Sequence, residues 1–331
     1  MSFETALQLH RDGQLESAEA AYREILAERD DAESAYMLGV LRHQRGDDIE
    51  AEALVRRAIA SDPQVARYHL ALGGLQMHSG EETAARASFE TALELDPNST
   101  EAHATLGHLA FMQGDSQSAE DRFKIGRRAE EDDPLMLLGL GNVYLERDDA
   151  VNAAKFLARA AERKPDDAAI QQSLGRALFQ QGAFGIAEQA FLNALKNRPD
   201  LTLAKLYLAR AKMRQEKLNE AHYLFSELLA NQQQEFGANA GLGDVARRRG
   251  HVVRALKYYK RALQLDPMHP GAINACAWCM ESLRDLPGAV DYLKEGLQRA
   301  PEAEELRAPL VALLDQLGRT EEAARYRAAA A

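Results

Sequence analysis

The residues of this chain that could react or ligate are few and poorly grouped. Its two cysteines, Cys276 and Cys279, are spaced as Cys-Ala-Trp-Cys. Such a pair needs a second thiol or imidazole pair to hold structural zinc. To act as a redox dithiol it needs a strand–helix–strand setting. Neither surrounds it, so both cysteines read as buried packing residues. The nine histidines are scattered. His103 and His108 are five apart, a poor spacing for one helical face. His43, His78 and His108 recur at similar places and read as solvated or partner-facing residues, so no metal site is expected. No GxGxxG follows a strand pattern, and GxxxxGK[ST], HExxH and GxSxG are absent, which leaves no mechanical basis for nucleotide, zinc-hydrolase or serine-hydrolase chemistry. The expectation is a chain with no catalytic residue and no cofactor.

The bulk numbers narrow the class further. Net charge is −11 over 331 residues, whereas a nucleic-acid binder is usually basic. Only the run Arg247-Arg248-Arg249 points the other way. Apolar content is 46% with 6% aromatics, which suits an alanine-rich helical protein. No apolar run reaches the roughly 18 residues of a membrane span, and two cysteines exclude a disulfide framework. The N-terminus, MSFETALQLHRDG, is amphipathic and has neither the basic region nor the apolar core of a signal peptide. Taken as a native start, it predicts a cytoplasmic protein. Arginine outnumbers lysine and alanine is abundant, a pattern of GC-rich bacterial genomes.

The elements that must position any binding residues come from a repeat. The clearest copy is 66–99, ARYHLALGGLQMHSGEETAARASFETALELDPNS. Its apolar residues fall at helical spacing and predict two amphipathic helices, about 66–79 and 82–95. Gly73 and Ala85 are small where the two backbones must approach. Gly80 can take the positive φ of the turn between them. Pro97 ends the second helix, flanked by Asp96 and Asn98.

Counted from Ala66, Leu72-Gly73 fall at positions 7 and 8, Ala85 at 20, Phe89 at 24, Ala92 at 27 and Pro97 at 32. This pattern resembles the tetratricopeptide repeat, and it recurs in register along essentially the whole chain. The resemblance implies an all-α fold, a right-handed superhelical solenoid of about ten helix-turn-helix units. Their predicted limits are 1–31, 32–65, 66–99, 100–133, 134–167, 168–201, 202–235, 236–269, 270–303 and 304–331, forming a single solenoid domain. Departures stand out against this register. Glu131 occupies the usual proline position of the fourth unit. In the seventh, Ala209 replaces the glycine, Glu216 sits at the turn, and NQQQEFG at 231–237 replaces the proline turn. That stretch reads as a longer second helix or an irregular loop, with a hinge as the alternative. The last unit is expected to be more polar, because it has no successor to cover it.

In this family the first helix of each unit lines an inner groove, mainly through positions 2, 5, 6, 9, 12 and 13. Carried onto this chain, those positions give Phe3, Tyr36, Met37, His43, Leu70, Met77, His108, Phe111 and Met112 in the early units. In the middle they give Asn142, Arg176, Phe179, Tyr207, Arg210, Arg214, Arg247 and Arg248. At the far end they give Asn274, Trp278, Glu281, Glu305 and Asp315. The resemblance thus places a basic stripe on the inner face of an acidic protein, and arginine's planar fork suits carboxylates. Those arginines either face a ligand or pair with neighbours such as Asp244. Trp278 either contacts a ligand in the groove, as tryptophan often does at binding hot spots, or simply packs. The groove residues expected to meet a partner are Asn142, Arg176, Phe179, Tyr207, Arg210, Arg214, Arg247, Asn274 and Trp278.

The Lys/Asn carboxylate clamp of chaperone-binding members is not restored in any three successive units, since Phe3, Leu7, Tyr36 and Val40 stand at its positions. The asparagine ladder of the sugar-transferase members is missing too. The leading expectation is a non-catalytic adaptor that holds a peptide or protein segment of acidic character, with no nucleic acid and no membrane span. Two alternatives remain. One is a targeting region attached to a glycosyltransferase or sulfotransferase, because the opening resembles bacterial proteins of that kind. The other is a scaffold that assembles with itself through its terminal units.

Overall fold

A computed structural model describes residues 1–129 and 132–328. Glu131, the fourth unit's substitute for proline, lies outside the described residues. The described residues form twenty α-helices and one short 3-10 turn, with no strand. They fall into two compact units, 1–163 and 164–331.

The N-terminal unit holds five helical hairpins: α1 (Phe3–Arg11) and α2 (Leu15–Glu28), α3 (Ala32–Gln44) and α4 (Asp48–Ser61), α5 (Ala66–His78) and α6 (Glu82–Leu95), α7 (Thr100–Met112) and α8 (Ser116–Ala129), α9 (Pro134–Glu146) and α10 (Ala150–Arg163). The C-terminal unit holds five more: α11 (Ala168–Gln180) and α12 (Phe184–Asn197), α13 (Thr202–Arg214) and α14 (Leu218–Ala230), α15 (Glu235–Arg248) and α16 (Val252–Leu265), α17 (Pro270–Ser282) and α18 (Leu286–Arg299), α19 (Arg307–Gln316) and α20 (Thr320–Ala328). The 3-10 turn, Glu304–Leu306, leads into α19.

The same local physics makes each hairpin. Between α5 and α6, Gly80 takes φ +82°, and the next amide, Glu81 N–H, bonds back to the Gln76 carbonyl at 2.8 Å. This left-handed closure satisfies carbonyls that the helix end would otherwise strand. In three hairpins a side-chain-bearing residue takes the same conformation: Asp148, Glu216 and Arg284, at φ 56°, 59° and 67°. Their steric cost is tolerated because the flanking helices are packed. Second helices often start on a capping carboxylate, as where Asp47 accepts from Glu50 N–H and Asp285 from Gly288 N–H.

Packing within a hairpin follows the small-residue register. A methyl group added at Gly73 would lie 2.9 Å from the Phe89 ring, at Gly175 2.6 Å from Phe191, and at Gly243 2.5 Å from Tyr259. The glycine of the first helix is therefore the floor on which the aromatic of the second helix rests. Ala85, Ala92, Ala187, Ala194, Ala255 and Ala262 are fully buried at the remaining close approaches. Cys276 and Cys279 are buried in the same way, and burial pushes both thiols up to about 11. They are packing residues, as their sequence setting suggested.

Of the stretch 231–237, residues 231–234 form an irregular loop and 235–237 open the next helix. The loop does not lengthen α14, which ends at Ala230. Gln232 and Gln234 both take left-handed backbone conformations, and α15 then starts at Glu235. A continuous buried cluster of Phe225, Leu228, Ala238 and Leu242 crosses the loop. The two compact units divide elsewhere, between 163 and 164.

A candidate binding face on the first helices

Within each unit several successive first helices touch one another: α3 touches α5, α7 touches α9, α11 touches α13 and α13 touches α15. Among the described residues no two successive second helices are in comparable contact. The hairpins therefore fan with their first helices on the inner side.

On that side of the C-terminal unit, three arginines and four aromatic rings form one cluster. Arg176 and Phe179 are one turn apart on α11, and Tyr207, Arg210 and Arg214 share a stripe of α13. Tyr207 lies at the centre. Its ring is 5.6 Å from Phe179 and stacks on the buried Phe191 at 5.8 Å. The guanidinium carbons of Arg176 and Arg210 lie 6.0 and 5.4 Å from the Tyr207 ring centre. Arg214 lies 4.6 Å from that of Phe184, which is 5.2 Å from Phe179. None of these three arginines has a carboxylate partner among the described residues. A cation over a ring gains about 0.5–1 kcal/mol at an exposed site. That orients the guanidinium without neutralising it. Phe184 has no groove position in the repeat and was not singled out from sequence; it begins α12 and reaches the cluster from the hairpin turn.

A second group lies on α15, α17 and α19. Arg247 sits 5.3 Å from the Trp278 ring centre and 3.9 Å from Asp244. Asp244 also accepts a 2.7 Å bond from the Tyr259 hydroxyl, so the anticipated pairing of an arginine with Asp244 occurs and is shared. Trp278 is 41% exposed, too open for a core residue of its size. It borders a cavity of about 360 Å³ with Asn274, Glu281, Pro309, Leu313 and Gln316. Asn274 donates to the Glu305 carbonyl at 3.1 Å. Its own side-chain oxygen is buried and receives no hydrogen bond.

The other expected groove residues divide. Arg248 is engaged by Glu216, and the adjacent Arg249 bonds Asn219 at 2.6 Å. Two of the three arginines in that run are thus taken up locally. Asp315 is held by Arg327. Asn142 is half-buried on α9 in the N-terminal unit. In that unit Arg67 lies over Tyr36 and Tyr68 but is also bonded to Glu33.

A recurring ionic device went unnoticed in the sequence. The glutamate just after a buried alanine of a second helix accepts from two residues, three apart, one in the last turn of the next first helix and one just past its end. Glu19 takes Arg42 and Arg45, at 3.3 and 2.6 Å. Glu120 takes Tyr144 and Arg147, at 3.0 and 2.5 Å. Glu188 takes Lys212 and Gln215, both at 2.7 Å, and Lys217 at 2.8 Å. Burial alone would raise the carboxyls of Glu120 and Glu188. Donors overcome it and hold both down to about 2: Lys124, Arg147 and Tyr144 around Glu120, and Lys212, Lys217 and Gln215 around Glu188.

The family match agrees with this geometry. Residues 50–100, 105–168, 172–234, 206–270 and 241–304 match the tetratricopeptide repeat family, and 88–121 match a second tetratricopeptide repeat description. The chain belongs to the tetratricopeptide repeat family. No curated protein matches the sequence. Among solved structures, Pseudomonas aeruginosa PilF is similar over 62% of this chain and 94% of its own, with 17% identity and a TM-score of 0.57. A tetratricopeptide repeat protein of Parabacteroides merdae covers 75% of this chain and 98% of its own, at 14% identity and TM-score 0.51. Yeast Tom70 covers 98% of this chain and 89% of its own, at 13% identity and TM-score 0.50. At such identities the likeness is one of fold. No described helix is long and apolar enough to cross a membrane.

Proposed function

We propose that this protein is a non-catalytic adaptor that holds an acidic peptide segment of another protein along the first helices of its C-terminal unit. The observation that carries this reading is the state of Arg176, Arg210 and Arg214. In a chain of net charge −11 they lie over aromatic rings with no carboxylate partner among the described residues. Guanidinium groups oriented in this way lose little freedom when they meet side-chain carboxylates. Trp278 and its neighbouring cavity give an apolar anchor point for the same segment.

The test is calorimetric titration with short Glu/Asp-rich peptides carrying one leucine or aromatic residue, at low and at high salt. Binding should weaken as salt rises, because the contacts are charge pairs near the surface. The double variant Arg210→Glu/Arg247→Glu should lower affinity by on the order of tenfold or more. Affinity indifferent to both salt and charge reversal would remove the electrostatic basis of the proposal.

A further inference from the structure

The N-terminal unit brings together a group that the sequence scatters. His43 lies in the last turn of α3, His78 ends α5, and Asp48 begins α4. The two imidazoles meet edge to face, 5.7 Å between ring centres. The Nδ1 of His43 faces one carboxylate oxygen of Asp48, and the Nδ1 of His78 faces the other. The ligand-type atoms of all three residues lie within 4.8 Å of one another. Sequence reasoning noted both histidines and expected no metal. It did not see that the hairpin turn sets Asp48 between them.

We propose that His43, Asp48 and His78 form a binding site for a divalent first-row transition-metal ion of the zinc, cobalt or nickel type. Two imidazole nitrogens and a carboxylate are a donor set for these ions, and a poor one for calcium or magnesium, which take oxygen ligands. Tetrahedral zinc at roughly 2.0–2.1 Å from each donor needs ligand atoms about 3.4 Å apart. Each imidazole nitrogen now lies 2.5 Å from an Asp48 oxygen, closer than that, and the side chains of His43 and His78 are 49% and 67% exposed, free to make the small outward rotations required. No competing cation is at hand: the neighbouring Arg42 is engaged by Asp47, Glu50 and Glu19. His43 also borders a cavity of about 270 Å³ that reaches Glu101, which leaves room for a water in the fourth position. A bound ion would tie α3, α4 and α5 together.

The experiment uses the full chain without a histidine tag. Cobalt(II) is titrated while the visible d–d absorption is followed, zinc(II) is then added in competition, and zinc stoichiometry is measured by calorimetry. One equivalent should bind with bands of a low-coordinate N/O site, and zinc should displace it. Asp48→Asn and His78→Ala should each weaken binding by roughly tenfold or more, while circular dichroism confirms an unchanged helical fold. No visible band and no zinc heat up to millimolar metal would overturn the assignment. So would equal affinity in the double variant His43→Ala/His78→Ala, which would place the ion on other histidines.

Discussion

In the N-terminal unit, three arginines on or just past the first helices end on carboxylates: Arg42 on Glu19 and Glu50, Arg67 on Glu33, Arg147 on Glu120. In the C-terminal unit, Arg176, Arg210 and Arg214 end on aromatic rings. The two units share one hairpin design, with the same glycine floors, buried alanines and interlocking glutamates. They differ in whether the charge on the inner face is already spent. Counting arginines at groove positions therefore overstates what is available for a ligand, and Arg248, bonded to Glu216, illustrates the point within the C-terminal unit itself.

Four measurements would break or sharpen this contrast. The largest effect should come from the shared interlock. Glu188→Ala leaves Lys212, whose side chain is only 10% exposed, held by the exposed Glu220 alone among the described carboxylates. Losing the charged hydrogen bonds to Glu188 should cost roughly 2–3 kcal/mol in denaturant unfolding, and Glu120→Ala in the other unit should behave alike. A small loss at one site alone would mean the units do not share this support. The pH dependence has a definite sign. Glu188 falls from its ordinary 4.5 to about 2 on folding, so its stabilisation is full above pH 4.5 and is lost as pH drops toward 2. Glu188→Gln should flatten acid unfolding in that window.

Next in size is Gly175→Ala. Its new methyl would meet Phe191 at 2.6 Å, and overpacking of this kind costs about 1–3 kcal/mol, read as a lowered thermal midpoint. The smallest effect belongs to Arg67→Ala. A surface pair contributes roughly 0–1 kcal/mol, and because Arg67 is already neutralised, affinity for an acidic peptide should not change. If Arg67→Ala weakened peptide binding as much as the loss of Arg210 does, the distinction between spent and available charge would fail.

The hairpins were legible because their signals are local and repeated. Gly73, Gly80, Ala85 and Phe89 each do one mechanical job, and the same job recurs about 34 residues later. The basic face was partly legible: the register put Tyr207, Arg210 and Arg214 on one stripe, and the structure places them there. Their relation to carboxylates was not, since Arg67 and Arg210 look equivalent until Glu33 is found beside one and Tyr207 beneath the other. Phe184 was missed because it stands in a turn. The interlocks of Glu120 and Glu188 were missed because glutamate is ordinary on a helix surface and their donors lie a whole hairpin away. A similar distance separates Asp48 from His78, and it hid their meeting beside the adjacent His43.

The interlocking glutamates also bear on how such a chain can change. Glu188 expects Lys212 and Gln215 on the helix that follows it, and Glu120 expects Tyr144 and Arg147. These are neighbour-specific requirements, a kind of grammar laid over an otherwise uniform alphabet of repeats. Excising the hairpin that begins at Thr202 would present Glu188 with Ala246 in place of Lys212 and with Arg249 in place of Gln215, so one carboxylate oxygen would lose the donor it now has while the other met a different one. Repeats joined in this way cannot be shuffled freely; gain or loss of a unit is tolerated best where no such glutamate faces the junction.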